Sequence, residues 1–123
     1  MKKLLILLFS ILISFNSWGE TKYYYYENGQ IKSEEIYKDG KKDGKVTYWD
    51  ENGQIETEEI YKNDKKVSRT IYKYHDNGQI KLELNWKDSK IVKSTNWYKN
   101  GQIELEMNYK DGVCISGDCD YFK

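Results

Sequence analysis

Two cysteines, one histidine and a set of regularly placed glutamates are the residues of this chain whose chemistry could build a site. Cys114 and Cys119 bracket the segment Cys-Ile-Ser-Gly-Asp-Cys near the carboxyl terminus. Their spacing is not the Cys-x-x-Cys of a redox centre. A closed zinc site takes about four ligands, and the chain offers only these two thiols and the distant His75. A disulfide is therefore the expected state, with reduced thiols or a redox or metal role as the alternatives. His75 stands two residues before Asn77-Gly78, with no recognisable Ser or Cys nucleophile motif around it. It reads as an exposed residue flanking a turn rather than a catalytic base. Glu34, Glu58, Glu83 and Glu106 invite comparison with the paired carboxylates of glycoside hydrolysis. That chemistry needs two differentiated carboxyl groups, whereas these four recur at one position of a repeat. They read as a structural ladder, with Lys32 and Lys81 interleaved to relieve the repulsion. The expectation is therefore no catalytic residue, no metal site and no cofactor.

The elements that position these residues come from the repeat. Asn-Gly-Gln-Ile occurs four times, at residues 28–31, 52–55, 77–80 and 100–103. Three residues before each Asn stands an aromatic: Tyr25, Trp49, Tyr74 and Trp97. Six residues after each Ile stands another: Tyr37, Tyr61, Trp86 and Tyr109. A lysine and a second turn pair follow, namely Asp39-Gly40, Asn63-Asp64, Asp88-Ser89 and Asp111-Gly112. Asn-Gly accepts φ > 0 at both central positions of a two-residue type I′ turn. The turn residues are thus Asn28-Gly29, Asn52-Gly53, Asn77-Gly78 and Asn100-Gly101. Between turns the residues alternate: Ile80, Leu82, Leu84 and Trp86 oppose Lys81, Glu83 and Asn85, and Ile103, Leu105, Met107 and Tyr109 oppose Glu104, Glu106 and Asn108. Period-two alternation of this length marks strands.

Sequential strands with short turns predict an all-β antiparallel meander, an elongated single sheet of about eight strands with two per repeat. A two-residue Asn-Gly turn would set Tyr25 opposite Lys32, Trp49 opposite Glu56, Tyr74 opposite Lys81 and Trp97 opposite Glu104. The Tyr25, Trp49, Tyr74 and Trp97 row would then share a face with the repeated glutamates. The isoleucines would share the other with Tyr37, Tyr61, Trp86 and Tyr109. In a sheet one layer thick, both rows cannot be buried within one monomer. The first row, with its charged neighbours, is the candidate contact surface, and the second is the structural ladder.

Lys2 and Lys3 precede an apolar run over residues 4–15, and small residues follow at Ser17 and Gly19. This is the pattern of a secretory signal peptide, expected to be helical and cut near Gly19/Glu20. The run is too short for the roughly 20 residues that span a bilayer, although an uncleaved anchor is the alternative. No cysteine lies near the cut, so a lipid anchor is not expected. Residues 1–19 are thus assigned to a signal peptide, 20–112 to the repeats and 113–123 to a tail carrying the cysteine pair. The expected location is extracytoplasmic, periplasmic or secreted. Twenty basic and twenty acidic residues balance over the chain, which argues against nucleic-acid binding through a basic surface.

The unit aromatic–x–x–Asn-Gly-Gln-Ile–x–x–Glu–x–x–Tyr-Lys-Asp-Gly resembles the MORN-repeat variant of bacterial proteins, typical of the YwqK-like family described as antitoxins. The clearest copy runs from Tyr25 to Gly44, and the resemblance covers about residues 23–112. It implies a β-hairpin repeat without catalysis that binds a protein partner, such as a cognate toxin. Two departures stand out. Repeats two and three lack the glycine of the second turn, having Asp64 and Ser89. An export signal is unexpected for an antitoxin that meets its toxin in the cytoplasm, and suits an immunity protein acting outside it. The expected function is a non-enzymatic exported protein that binds another protein. The alternative is a cell-envelope adhesin or glycan-binding module using the aromatic rows, and a homodimer remains open.

Overall fold

The computed structural model describes residues 19–121. Residues 1–18, all but the last residue of the segment read as a signal-peptide helix (1–19), and the last two residues lie outside the described residues. Nine strands follow in chain order: β1 (Glu20–Tyr25), β2 (Ile31–Lys38), β3 (Lys41–Trp49), β4 (Ile55–Lys62), β5 (Lys65–Tyr74), β6 (Ile80–Lys87), β7 (Lys90–Trp97), β8 (Ile103–Lys110) and β9 (Val113–Gly117). They form one sheet in the order β1 to β9, each strand antiparallel to its neighbours. At about 4.8 Å between strands, the ribbon is about 40 Å long. The ninth strand exceeds the expected eight, because Val113–Gly117 returns along β8 instead of leaving as a tail.

The two turns of each repeat differ in kind. Asp39-Gly40, Asn63-Asp64, Asp88-Ser89 and Asp111-Gly112 have φ > 0 at both residues. They sit inside the pairs Lys38–Lys41, Lys62–Lys65, Lys87–Lys90 and Lys110–Val113. These are two-residue type I′ turns. Repeats two and three keep that geometry without glycine: Asn63, Asp64 and Asp88 are of types that tolerate the left-handed region better than most residues, and Ser89 adopts it as well. In repeat two, the preceding hairpin supports it. The Asp64 side chain accepts the Lys42 N–H at 2.7 Å, its own N–H donates to the Lys42 carbonyl at 2.9 Å, and the Asn63 N–H donates to Asp43.

The Asn-Gly turns are not type I′, which corrects the expectation. Only the glycine has φ > 0, at +84° for Gly29 and +82° for Gly53. The Gly29 N–H donates to the Tyr26 carbonyl at 3.0 Å and the Tyr26 N–H to the Gln30 carbonyl at 2.9 Å. The same two bonds recur at Asp50, His75 and Tyr98. This is a three-residue loop whose left-handed glycine closes a bulge. Asn28, Asn77 and Asn100 accept the N–H two residues on. In repeat two, Asp50 does that work instead, accepting from Asn52 and Gln54.

The longer loop moves the register by one residue. Tyr25 faces Ile31, Trp49 faces Ile55, Tyr74 faces Ile80 and Trp97 faces Ile103. Lys32, Glu56, Lys81 and Glu104 are then skipped as bulges, and Tyr24 pairs with Ser33. Directly paired residues share a face, so each isoleucine lies with the Tyr25 row, not with the Tyr37 row. The bulge then reverses the strand's faces, leaving Tyr37, Tyr61, Trp86 and Tyr109 on the opposite side.

Little is fully buried, as one sheet allows. Val46 is 0% exposed, Met107 6% and Leu105 7%. Ser33, Thr57, Ser94 and the carboxylates Glu35 and Glu59 are buried beside them. At the far edge, Cys114 and Cys119 are joined in a disulfide. There the Asp118 N–H donates to the Glu106 carbonyl and the Glu106 N–H to the Asp118 carboxylate, each at 2.8 Å. The cross-link ties the chain end back to β9, and these bonds carry it one residue further along β8, occupying Glu106 backbone groups that would otherwise be unpaired.

Candidate functional site

One face carries an unbroken alternation of aromatic and isoleucine: Tyr25, Ile31, Trp49, Ile55, Tyr74, Ile80, Trp97 and Ile103, drawn in turn from β1 to β8. Its two ends are open, with Tyr25 62% and Ile103 56% exposed, and the members between are half-buried. The backbone of this row is fixed from the neighbouring repeat. The Tyr26 hydroxyl donates to the Trp49 carbonyl at 2.7 Å, the Tyr74 hydroxyl donates to the Ile55 carbonyl at 2.6 Å, and His75 Nε2 lies 2.8 Å from the Trp97 carbonyl. His75 is therefore a half-buried tie between repeats rather than the exposed turn residue expected. Its position matches Tyr26, one residue after the row aromatic, and that repeat position was the signal available in the sequence.

Glu34, Glu58, Glu83 and Glu106 lie on the same face, as expected, but their partners differ. Lys45 pairs with Glu58, and Lys93 with Glu106 at 3.1 Å. The Tyr72 hydroxyl donates to Glu58, and the Asn85 amide to Glu83. Lys32 instead rests its ammonium 5.7 Å from the centre of the Tyr26 ring.

The opposite face holds the ladder Tyr37, Tyr61, Trp86 and Tyr109, all half-buried. It also holds a feature the sequence reading missed: two buried carboxylates, Glu35 and Glu59. Glu35 accepts the Tyr37 hydroxyl at 2.6 Å and pairs with Lys42 at 3.2 Å. Glu59 accepts the Tyr61 hydroxyl at 2.8 Å and Lys66 at 2.9 Å, with Arg69 Nε at 3.5 Å. Lys22 and Lys42 also lie over the Tyr37 and Tyr61 rings, at 4.6 and 5.4 Å from their centres, which adds cation–π attraction. The available signal was the alternation Ser33-x-Glu35-x-Tyr37 and Thr57-x-Glu59-x-Tyr61. In repeats three and four the same positions read Leu82, Leu84, Trp86 and Leu105, Met107, Tyr109. The ladder face is thus ionic in its first half and apolar in its second.

Donation to Glu35, and then burial, pushes the Tyr37 phenol far above its ordinary pKa. Burial, and then donation to Glu59, does the same to Tyr61. Burial works to raise the Glu59 carboxyl, but the hydrogen bonds from Lys66 and Tyr61 and the charges of Lys66 and Arg69 outweigh it and hold the carboxyl below its ordinary value. A carboxyl held low stabilises the folded chain fully above its unfolded pKa and loses that contribution as the pH falls through the folded value. The melting temperatures of the native chain and of Glu59→Gln should therefore differ most at neutral pH and draw together as the pH falls below the ordinary carboxylate range. Parallel profiles across that range would show that Glu59 carries no such linkage.

Four hairpin units in chain order, each repeating the same turn, bulge and paired aromatics, define a β-hairpin repeat protein. The MORN repeat variant matches residues 21–39, 42–63, 70–88 and 92–111, more than half of the chain, and the chain belongs to that family. No curated protein matches it. Among solved structures, the chain is similar to part of the accessory secretory protein 1, 2 and 3 structure of Streptococcus pneumoniae. There it shows 15% identity and a TM-score of 0.39 over 75% of this chain and 17% of that one. It is also similar to part of a GtfA/B complex bound to UDP and GlcNAc, with 17% identity and a TM-score of 0.33 over 74% of this chain and 20% of that one. The chain thus spans a fifth or less of the length of either.

Proposed function

We propose that this chain is a non-enzymatic, exported binding scaffold that holds a protein partner on its aromatic–isoleucine face, in the manner of an antitoxin or immunity protein. The observation that carries the reading is the row from Tyr25 to Ile103. Large apolar side chains run there without interruption, half-covered by their neighbours between the two open ends and, among the described residues, by no second layer. Tyr and Trp are the residue types enriched at protein interfaces and among the side chains that dominate their affinity. The backbone ties from Tyr26, Tyr74 and His75 hold the row in place before a partner arrives, which lowers the cost of ordering on binding. The Cys114–Cys119 disulfide supports an oxidising destination.

Trp97→Ala beside Tyr109→Ala tests the reading at one end of the sheet, with one substitution on each face. Trp97→Ala should melt close to the native chain and weaken partner capture from the exported fraction by about 2 kcal/mol or more. Tyr109→Ala should lower the melting temperature and leave capture intact. Trp97→Ala unfolding while Tyr109→Ala folds and loses the partner would invert the two faces. Capture unchanged by both would remove the aromatic rows from recognition.

A further inference from the structure

The ladder face holds a second candidate site, which does not depend on the docking row across the sheet. In repeats one and two the ladder aromatic donates to a carboxylate two residues upstream, Tyr37 to Glu35 and Tyr61 to Glu59. In repeat four, the Tyr109 hydroxyl lies 3.5 Å from Met107 Sδ. Repeat three breaks the pattern on the acceptor side alone. Its donor is the Trp86 indole, and the residue two before it is Leu84. Trp86 Nε1 is the one buried side-chain polar atom among the described residues without a hydrogen-bond partner. An orphaned buried donor costs about 1–3 kcal/mol and calls for an explanation.

The surroundings of that donor are cationic. Arg69 on β5 is paired directly with Trp86 on β6, and on its other side with Glu59 on β4. Its Nε lies 3.5 Å from Glu59. Arg69, Lys66, Ser68, Ile71, Trp86 and Ser89 line a groove of about 280 Å³, with the exposed Asp88 also on its wall. The groove therefore brings a guanidinium and an ammonium, both also paired with Glu59, beside the indole over an apolar floor.

We propose that this groove binds a carboxylate, which accepts from Trp86 Nε1 and Arg69 and plays in repeat three the part that Glu35 and Glu59 play in the first two repeats. The indole N–H is shielded from solvent, so entry of the carboxylate requires the side chains around it to move aside. A charge-assisted pair with Arg69 and a neutral donor from Trp86 suit a carboxylate better than a neutral acceptor.

The test follows the indole N–H signals of Trp49, Trp86 and Trp97, three of the chain's four tryptophans, in the ¹⁵N-labelled protein, titrated with glutarate and, separately, with a hexaglutamate peptide. Sodium chloride at matched ionic strength is the control. The Trp86 signal should move downfield and saturate while the other two stay. Arg69→Gln should weaken the response about tenfold or more. Leu84→Glu, which installs the acceptor that repeats one and two already carry, should keep the sheet spectrum and abolish the response. If Arg69→Gln loses the folded spectrum, Leu84→Glu decides alone. Tighter binding of hexaglutamate than of glutarate assigns the site to an acidic protein segment, and the reverse order to a small acid. No saturable shift with either probe, the same shift with sodium chloride, or a response that survives Leu84→Glu overturns the proposal. None of these outcomes bears on capture through Trp97.

Discussion

Val46→Asp is expected to unfold the first two repeats. Among the described residues Val46 is the one large side chain with no exposed surface, and on the ladder face it stands directly between Glu35 of β2 and Glu59 of β4. A carboxylate there would be desolvated, would have no cation of its own and would sit between two buried like charges. Lys42, Lys66 and Arg69 already pair with those neighbours, so the aspartate could only share them. Uncompensated buried charge costs about 3–5 kcal/mol, a large share of the whole stability of a chain this size. Val46→Thr, nearly isosteric, separates shape from charge and should lose far less. Chemical denaturation followed by far-ultraviolet circular dichroism measures both. An aspartate variant that unfolds at the native midpoint would mean that the two carboxylates do not form the ionic half of the core.

Gly117→Ala should open the last hairpin. Gly117 has φ of +90°, and a methyl group on it would run into the backbone carbonyl of Glu106 and crowd Met107. The left-handed conformation alone costs about 1–2 kcal/mol in an L-residue, and the clash adds to it because backbone cannot swing aside. The expected loss is more than about 2 kcal/mol, several degrees of melting temperature. Hydrogen exchange should locate it, with the Glu106 and Asp118 amides losing protection while those of β2 to β5 keep theirs. Gly112→Ala is the contrast. It also has positive φ, at +80°, but its side chain would meet open space, so only the conformational cost should appear. Equal losses from the two would remove the steric argument.

The strands and their order were legible because the repeat imposes them. Asn-Gly-Gln-Ile punctuates the chain four times, and the alternation between turns allows only strands. The row of Tyr25, Trp49, Tyr74 and Trp97 fell on the glutamate face as expected, although the assumed turn was the wrong type. The longer loop shifted each aromatic onto its isoleucine, and the bulge at Lys32, Glu56, Lys81 or Glu104 then restored the later residues to the expected side. Asn-Gly alone cannot separate a two-residue turn from a three-residue one, since both need a left-handed glycine. What decides is a pair of backbone bonds that begins one residue earlier, at Tyr26, Asp50, His75 or Tyr98. The buried carboxylates were missed for another reason. A Glu in a strand reads as solvent-facing until its cross-strand neighbours are known, and Lys42, Lys66 and Arg69 become neighbours only after the register is fixed.

Because every strand is hydrogen-bonded only to the strands next to it in sequence, this sheet has no long-range lock. A pull on its two ends would load the hairpins in series. The sheet would yield by peeling, one repeat after another, and the shape of each step would be set by the ties between adjacent repeats, such as Tyr26 to Trp49 and His75 to Trp97. Peeling would begin at β1, whose partner lies on one side only, while the disulfide at the other end keeps a loop of chain from paying out. Such a ribbon gives under tension in small, recoverable increments instead of failing at once.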